Sequence, residues 1–317
     1  MSISRFLLIL LIISLPISVS AGVTADDLPE GTLWYLHADL EQMRDSASGR
    51  GLYDWMDGEI FMEIHEEVGI DINKETDSIT AFSHSDSGTV ILLEGNMQKS
   101  TQQDLLRHAT DEAELTKHEF KGKEYYFVTD DNARSGINES GDQQESTARE
   151  PLRDLADGAY FSFAVKNKLL ITGSKDQMTD LLANNGNVAG GGSHDGALFV
   201  LTADRAFVQA GLDTRRLDDE DDSWDSKILR NTEMAALTIA AVEDMISIEA
   251  QLVSKDPAMA QSLGGIANGL IGLQAFNSEL HPDVKSLIAN TRIDVADNVL
   301  SISTVITPDV ILNVLND

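Results

Sequence analysis

The order of predicted secondary structure elements occurs twice along the 317 residues, and this repetition limits the fold more than any other feature. In each half, a strand ending in Ala-Asp (Ala38-Asp39 and Ala203-Asp204) precedes helical sequence, a hairpin, a helix, a second hairpin and an apolar final helix. Alternating apolar residues and turn signals identify the hairpins. We therefore predict an α+β fold: two tandem copies of a unit of antiparallel hairpins covered by helices. The alternative is a loose resemblance between two unrelated α+β stretches.

Composition sets the predicted domain boundaries. The first α+β repeat covers residues 22–185 and contains a polar insert at 131–150, where apolar residues are almost absent. A Gly-rich linker at 186–196 follows, and the second α+β repeat covers 197–317. Glycine-rich segments behave as flexible connectors, so the linker is expected to join the two copies flexibly. Either two separate sheets or one continuous sheet is compatible with this arrangement.

Residues 1–21 have the pattern of a secretory signal peptide. Arg5 precedes an apolar run over Phe6–Val19, and small residues follow at Ser20 and Ala21. The run is shorter than the roughly 18–20 residues that span a bilayer. We expect a periplasmic or secreted protein with no stable membrane insertion after signal cleavage. An uncleaved membrane anchor is the alternative.

The charge and the absence of cysteine exclude several classes of function. Acidic residues outnumber basic ones by 53 to 23, which gives a net charge of −30. A nucleic-acid binder that works through a broad basic face is therefore excluded. The charge also argues against electrostatic binding to anionic lipid. With no cysteine, the chain has no disulfides, no thiol nucleophile, no iron–sulfur cluster, no Cys-type zinc site and no lipoprotein anchor.

Three segments resemble metal sites, and each departs from the required pattern. The segment Asp71–Asp77 starts like a calcium loop, but Thr76 and Phe82 stand where an EF-hand needs Gly and Glu. His65 lies in a helix without the second histidine that a zinc protease needs, because position 69 is glycine. The acidic run Asp218–Asp222 is read as a solvated loop, with a weak calcium site as the alternative. No metal is expected.

The sequence contains no recognisable arrangement of catalytic residues. The segment Ser83-His84-Ser85-Asp86 holds the residue types of a catalytic triad, but neighbouring residues of a strand point in alternate directions. A nucleophile elbow and phosphate-binding glycine loops are also missing, so we expect no catalytic residues and no cofactor. Asp39 and Asp204 could form a pair of catalytic carboxylates. A helix N-cap explains each of them more simply.

Two helices carry more specific predictions. Ser100 and Gln103 form a capping box, which predicts a helix from Ser100 to about His108. The corresponding helix of the second copy, Ala258–Phe276, is uncharged and contains three glycines at helical spacing. Each glycine costs about 1 kcal/mol in a helix, which indicates a close approach by another backbone. The predicted interface residues are Leu263, Gly265, Ile266, Gly269, Leu270 and Leu273.

Burial of this helix against its own sheet is the alternative to an interface. Gln261, Asn268 and Gln274 interrupt its apolar run, which argues against membrane insertion. We predict an exported, non-enzymatic binding or interaction protein, with a protein partner or self-association through the Gly-rich helix. An exported hydrolase that uses scattered carboxylates is the alternative function.

Overall fold

The computed structural model describes residues 31–62, 71–85, 88–129, 158–188, 196–205, 231–275 and 282–316, and isolated positions 28, 65, 155 and 207. These residues form two compact units. The segment Gln42–Trp55 belongs to the second unit, together with the described residues after Ser193. The remaining described residues form the first unit. The predicted first repeat, 22–185, therefore contains one segment that the structure groups with the second unit.

The described part of the first unit contains an antiparallel sheet of seven strands. They are β1 (Thr32–Asp39), β2 (Ser78–His84), β3 (Gly88–Glu94), β4 (Glu114–Phe120), β5 (Lys123–Thr129), β6 (Ala159–Ser162) and β7 (Lys168–Thr172). The strand order is β1-β2-β3-β7-β6-β5-β4, and each neighbouring pair is antiparallel.

Helices follow several of these strands along the chain. After β1 come α1 (Leu40–Asp45) and α2 (Gly49–Met56), most of whose residues belong to the second unit. A π-helical turn (Asp57–Phe61) and α3 (Ile72–Glu75) then precede β2. Helix α4 (Lys99–Glu112) joins β3 to β4, and α5 (Lys175–Ala183) follows β7. The core of this unit forms where α5 packs on β6 and β7, with Leu170, Met178 and Leu182 fully buried.

The second unit contains five described strands in the order β8-β9-β10-β12-β11, again antiparallel. They are β8 (Ala197–Asp204), β9 (Thr232–Val242), β10 (Met245–Ser254), β11 (Arg292–Ala296) and β12 (Val299–Ile306). Its later helices are α6 (Pro257–Ala275), α7 (Pro282–Ala289) and α8 (Pro308–Asn316). Ile246 and Ile306 of the sheet pack with Leu287 of α7 and Ile311 of α8.

The predicted mixed α+β class is confirmed at the level of helices combined with antiparallel sheet. Local turn chemistry explains why the hairpins were predictable. Lys121 and Gly122 adopt φ values of 50° and 78°, the left-handed conformation that a two-residue turn between β4 and β5 requires. Asp297 likewise has a φ of 52° in the turn between β11 and β12.

The predicted capping box of α4 is wrong. The helix begins at Lys99 rather than Ser100 and extends to Glu112, and its N-cap residue Gln98 makes no side-chain capping bond. The carboxylate of Glu75 caps the helix instead. It accepts hydrogen bonds from the Gln98 backbone N–H at 2.9 Å and from the Thr101 hydroxyl at 2.7 Å. A residue distant in sequence thus replaces the local cap.

Several predicted segments lie outside the described residues: the signal peptide, most of the polar insert and the acidic run Asp218–Asp222. In the part of the chain that is described, none of the helices combines the length and the apolar character needed to cross a bilayer.

Candidate functional site

Four polar side chains lie next to one another across four strands of the first unit. The registers of β1, β2, β3 and β7 place Asp39 opposite Ser78, Ser78 opposite Glu94, and Glu94 opposite Lys168. Opposed residues of antiparallel strands share one face of the sheet, with Cβ atoms about 4.5–5.5 Å apart. We call these four residues the polar row. They are distant in sequence and meet only because the strands pair.

The polar row lines a cleft of about 360 Å³. Its other lining residues come from the end of β1 and from the connections beside the row: His37, Glu41, Asp77, Gly95 and Asn167. Three backbone hydrogen bonds fix these connections: Glu41 N–H to Asp77 O (2.9 Å), Asp77 N–H to Glu94 O (2.7 Å) and Gly95 N–H to Asn167 O (2.9 Å). The cleft is therefore held in place by backbone bonds at one end of these neighbouring strands.

Carboxylates dominate the charge of the cleft. The lining holds four acidic side chains and one lysine, Lys168. The Lys168 ammonium pairs with the Glu94 carboxylate, and it also donates to the Gly186 carbonyl oxygen at 3.2 Å. Because the net charge of the lining is negative, the cleft favours cationic or hydrogen-bond-donating groups over anions.

His37 and Tyr35 also lie on β1, before Asp39 of the polar row. The Nδ1 atom of His37 lies 2.9 Å from the Thr80 hydroxyl. Burial lowers the pKa of His37, although the charges of Asp39 and Glu94 act in the opposite direction. Burial also raises the pKa of Tyr35 to about 12, against the effect of its hydrogen bond with Thr80. At neutral pH the row is thus flanked by an uncharged imidazole and an uncharged phenol.

The lowered pKa of His37 predicts that acid destabilises the first unit through this residue. Below the ordinary pKa of 6.5, the unfolded chain binds a proton that the folded chain takes up only at lower pH. Stability is therefore highest above that pH and falls as the solution becomes more acidic. We expect His37→Gln to flatten the acid side of a plot of urea midpoint against pH. The control is His65→Gln, at an exposed histidine; equal slopes for both variants would contradict the assignment.

The described residues do not form a metal centre. Among them, no three His, Asp or Glu side chains are grouped closely enough to hold a metal ion. Asp71, the first residue of the calcium-like segment, is the N-cap of α3 and accepts from the Lys74 backbone N–H and from its ammonium at 2.6 Å. These contacts satisfy Asp71 within the protein. His65, the other metal candidate, is exposed.

The paired residues Asp39 and Asp204 have different surroundings. Each ends a first strand, β1 or β8. The Asp204 carboxylate accepts from the Phe207 backbone N–H at 2.9 Å, which is the geometry of a helix N-cap. Asp39 belongs to the polar row of the first unit. Ser83 and His84 of the triad-like segment end strand β2.

The first half of α6 is part of the core of the second unit. Leu263 is 6% exposed and packs against Leu300 and Ile302 of β12. The glycine that allows this close packing is Gly264, because a Cβ at that position would lie 2.5 Å from Val295 Cγ2. Leu263, one of the predicted interface residues, therefore faces the sheet of its own unit.

The second half of α6 projects apolar side chains into solvent. Leu270 is 47% exposed and Leu273 is 72% exposed, while Ile266 is half-buried. A Cβ added at Gly265, Gly269 or Gly272 would meet no described atom within 4 Å. We call residues 265–274 the exposed end of α6. It contains the other five predicted interface residues and no charged residue.

Sequence reasoning did not find the cleft. Glu94, Asp77 and Lys168 belong to no sequence motif, and each lies at or beside the end of a strand, where polar residues are common. Asp39 does stand out in the sequence, because it is a polar residue at the end of a predicted apolar strand. A helix N-cap was the simpler explanation for it. Pairing of β3 with β7 was required to place Lys168 beside Glu94.

Comparison with known proteins finds distant structural similarity only. No family model matches the chain, and no curated protein matches it. Three solved structures of TP0453 are similar over nearly the whole chain. Crystal form I has a TM-score of 0.42 and 15% identity, and covers 93% of this chain and 97% of that chain.

Crystal forms III and IV of TP0453 give similar values. Form III has a TM-score of 0.40 and 13% identity, with 93% of this chain and 98% of that chain covered. Form IV has a TM-score of 0.42 and 12% identity, with 95% and 99% covered. Similarity at this level supports no conclusion about this chain.

Proposed function

We propose that the chain is an exported, non-enzymatic binding protein of the periplasm or the cell exterior, which docks a protein partner through the exposed end of α6. The observation that carries this proposal is the exposure of Leu270 and Leu273 on a helix of 19 residues without a charge. Clustered apolar surface on a soluble chain is typical of an interaction site.

The charge distribution supports a docking role for this helix. A chain with a net charge of −30 repels other acidic surfaces over most of its area. The exposed end of α6 offers a region where a partner meets no carboxylate of the helix itself. A partner of matching chemistry is an apolar, weakly charged helix or strand of another protein.

The three glycines support a close approach. A glycine in a helix costs about 1 kcal/mol relative to alanine, so a glycine without a packing role is a net loss for the folded unit. Gly264 has such a role against Val295, whereas Gly265, Gly269 and Gly272 have no described neighbour at the Cβ position. A partner backbone that packs on this face would make use of the space they leave.

The scaffold of this binding protein is, we propose, a tandem duplication. The order β1-β2-β3-β7-β6 corresponds strand by strand to β8-β9-β10-β12-β11. The register shifts between Thr32 and Trp34 in β1 and between Ala197 and Phe199 in β8, at the same places in the two strands. These agreements support a common origin of the two units.

A backbone hydrogen bond also recurs in equivalent places. Gly95 donates to the Asn167 carbonyl in the first unit, and Ser254 donates to the Asn298 carbonyl in the second, at 2.9 Å and 2.8 Å. Each bond joins the end of one central strand to the residue before the next strand. Strand order, register and this bond therefore agree between the two units.

The two proposed copies differ at functional surfaces. The registers of the second unit place Met234, Val253 and Val299 where the polar row has Ser78, Glu94 and Lys168; these second-unit residues are apolar. Conversely, the polar helix α4 occupies the place of the uncharged α6. Such differences are expected when one scaffold supports two specialised faces.

The docking proposal predicts that Leu273→Asp weakens capture of the partner. Burying one leucine contributes about 1.5–3 kcal/mol, so the loss should be at least about tenfold in affinity. The partner is first trapped with a photoreactive amino acid at position 273 in the exporting cell, and affinity is then measured for the purified pair. Met62→Asp is the matched control, because Met62 is also an exposed apolar residue, 56% exposed, and lies in the first unit.

Gly269→Leu gives an independent result at the same surface. Its side chain would fill the space beside the helix and should also reduce capture. If both variants fold and bind the trapped protein as the parent chain does, the docking role of α6 is excluded. Absence of any discrete adduct at position 273 would exclude it as well.

The cleft of the first unit favours one alternative, an exported hydrolase. It brings Asp39 and Glu94 within reach of the uncharged imidazole of His37, and carboxylates with a neutral histidine are common acid–base groups. A screen of hydrolase substrates with the parent chain and with Glu94→Gln separates this alternative from the binding role.

A further inference from the structure

The outer edge of β11 is an unpaired strand edge. The sheet of the second unit ends at β11, which pairs with β12 through five consecutive residues without a bulge. Among the described residues, no strand pairs with its opposite side. An unpaired edge presents backbone N–H and C=O groups that can pair with a further strand.

The turn between β11 and β12 determines which backbone groups point outward. Ala296 pairs with Val299 across the two-residue connection Asp297-Asn298. Residues that flank such a turn form a hydrogen-bonded pair, and the bonding direction alternates along the strand. The N–H and C=O groups of Ile293 and Val295 therefore point away from β12.

The edge of the first unit shows how such an edge can be protected. Its outer strand β4 carries Glu114, Lys117 and Glu119, which are all exposed. Charges along an edge discourage pairing with other strands. In β11 the exposed residues are Asp294, Val295, at 36%, and Ala296. The edge strand β11 thus exposes one charged residue, whereas β4 exposes three.

We infer that β11 pairs in antiparallel fashion with β11 of a second copy of this chain, about a two-fold axis at Ile293. This register places Arg292 opposite Asp294 of the partner subunit, and the symmetry repeats the pair. Opposite charges directly across an antiparallel pair are stabilising. The charge sequence of the strand is therefore complementary to itself.

The charges also select this register. Moving the axis by one residue to Asp294 retains the same outward backbone groups, but sets Asp294 against Asp294 of the partner subunit. Like charges directly opposite one another are destabilising. Neither Arg292 nor Asp294 forms an ion pair with another described residue. Both are thus available to the partner.

The interface is small, which determines how the dimer behaves. Five strand residues per subunit bury less than the roughly 1,200 Å² that stable complexes need. We expect a reversible dimer whose population rises with concentration. The test of this dimer is independent of the docking role proposed for α6, because it uses the purified chain without any other protein.

The test is sedimentation equilibrium of the full chain without the signal peptide over a wide range of concentration. The parent chain should dimerise, and Asp294→Lys should weaken the dimer by at least about tenfold, because two attractive pairs become repulsive. The double variant Arg292→Glu, Asp294→Lys restores opposite charges in the same register. It should return the dissociation constant to within about threefold of the parent value.

Glu119→Lys is the matched control. It makes the same change in net charge on the edge strand β4, at an exposed residue. Its dissociation constant should stay close to that of the parent chain. Asp294→Asn, which removes the charge without adding repulsion, should give an intermediate weakening and serves if the lysine variant does not fold.

Three results would overturn the inference. The first is a parent chain that remains monomeric at every concentration. The second is a dimer that Asp294→Lys weakens no more than Glu119→Lys does. The third is a folded double variant that stays as weak as the single variant, which would show that Arg292 does not face Asp294 of the partner subunit.

Discussion

Replacing Gly95 with alanine should lower the free energy of unfolding of the first unit by about 3 kcal/mol, at the upper end of the usual cost of overpacking. A Cβ at this position would lie 2.1 Å from the Glu75 carbonyl oxygen and 2.8 Å from Thr76 Cα. Both neighbours are backbone atoms, so no side-chain rotation can relieve the contact. The chain beside the cleft would have to move.

The measurement is urea unfolding followed by a probe in the first unit. Gly58→Ala is the control, because a Cβ there meets nothing within 4 Å. We expect its midpoint to stay close to that of the parent chain or to rise slightly. Equal midpoints for the two variants would show that the approach of Gly95 to the Glu75 backbone is not a tight constraint.

Replacing Glu75 with alanine should cost a similar amount, about 3 kcal/mol. The side chain is only 5% exposed, and it accepts hydrogen bonds from both the Gln98 N–H and the Thr101 hydroxyl. Removing the carboxylate leaves two donors at the start of α4 without this acceptor. Hydrogen bonds to charged groups are stronger than those between neutral groups.

Glu75→Gln should retain part of this stability, because the amide keeps one carbonyl acceptor. Its urea midpoint is therefore expected between those of Glu75→Ala and the parent chain. Glu119→Ala, at an exposed position of β4, is the control and should lie within about 0.5 kcal/mol of the parent. If Glu75→Ala resembled this control, the cap of α4 would have to lie elsewhere.

The hairpins could be predicted because their information is local. Lys121-Gly122 and Asp297-Asn298 are turn residues between alternating segments, and their conformation depends on few other contacts. The start of α4 could not be predicted in the same way. Ser100 and Gln103 have the right spacing for a cap, but Glu75 packs against the helix from another part of the chain.

The same difference between local and long-range contacts separates the two candidate sites. Uncharged composition and helical glycines, both readable from sequence, identified α6 as unusual. Which part of α6 is exposed depends on how far β11 and β12 extend beneath the helix. Leu263 packs on these strands and is therefore buried. The polar row was not predictable, because three successive strand pairings are needed to bring Asp39, Ser78, Glu94 and Lys168 into one row.

The construction of the cleft has a consequence for the order of folding. Its lining comes from four short stretches, around His37, Asp77, Glu94 and Lys168. Contacts between distant parts of a chain require large loops to close, which makes them slow to form. Helix α4 and the β4–β5 hairpin can form early from local contacts, whereas the cleft requires β7 to be in place. Any ligand of the cleft would therefore distinguish forms in which β1, β2, β3 and β7 have paired from forms in which they have not.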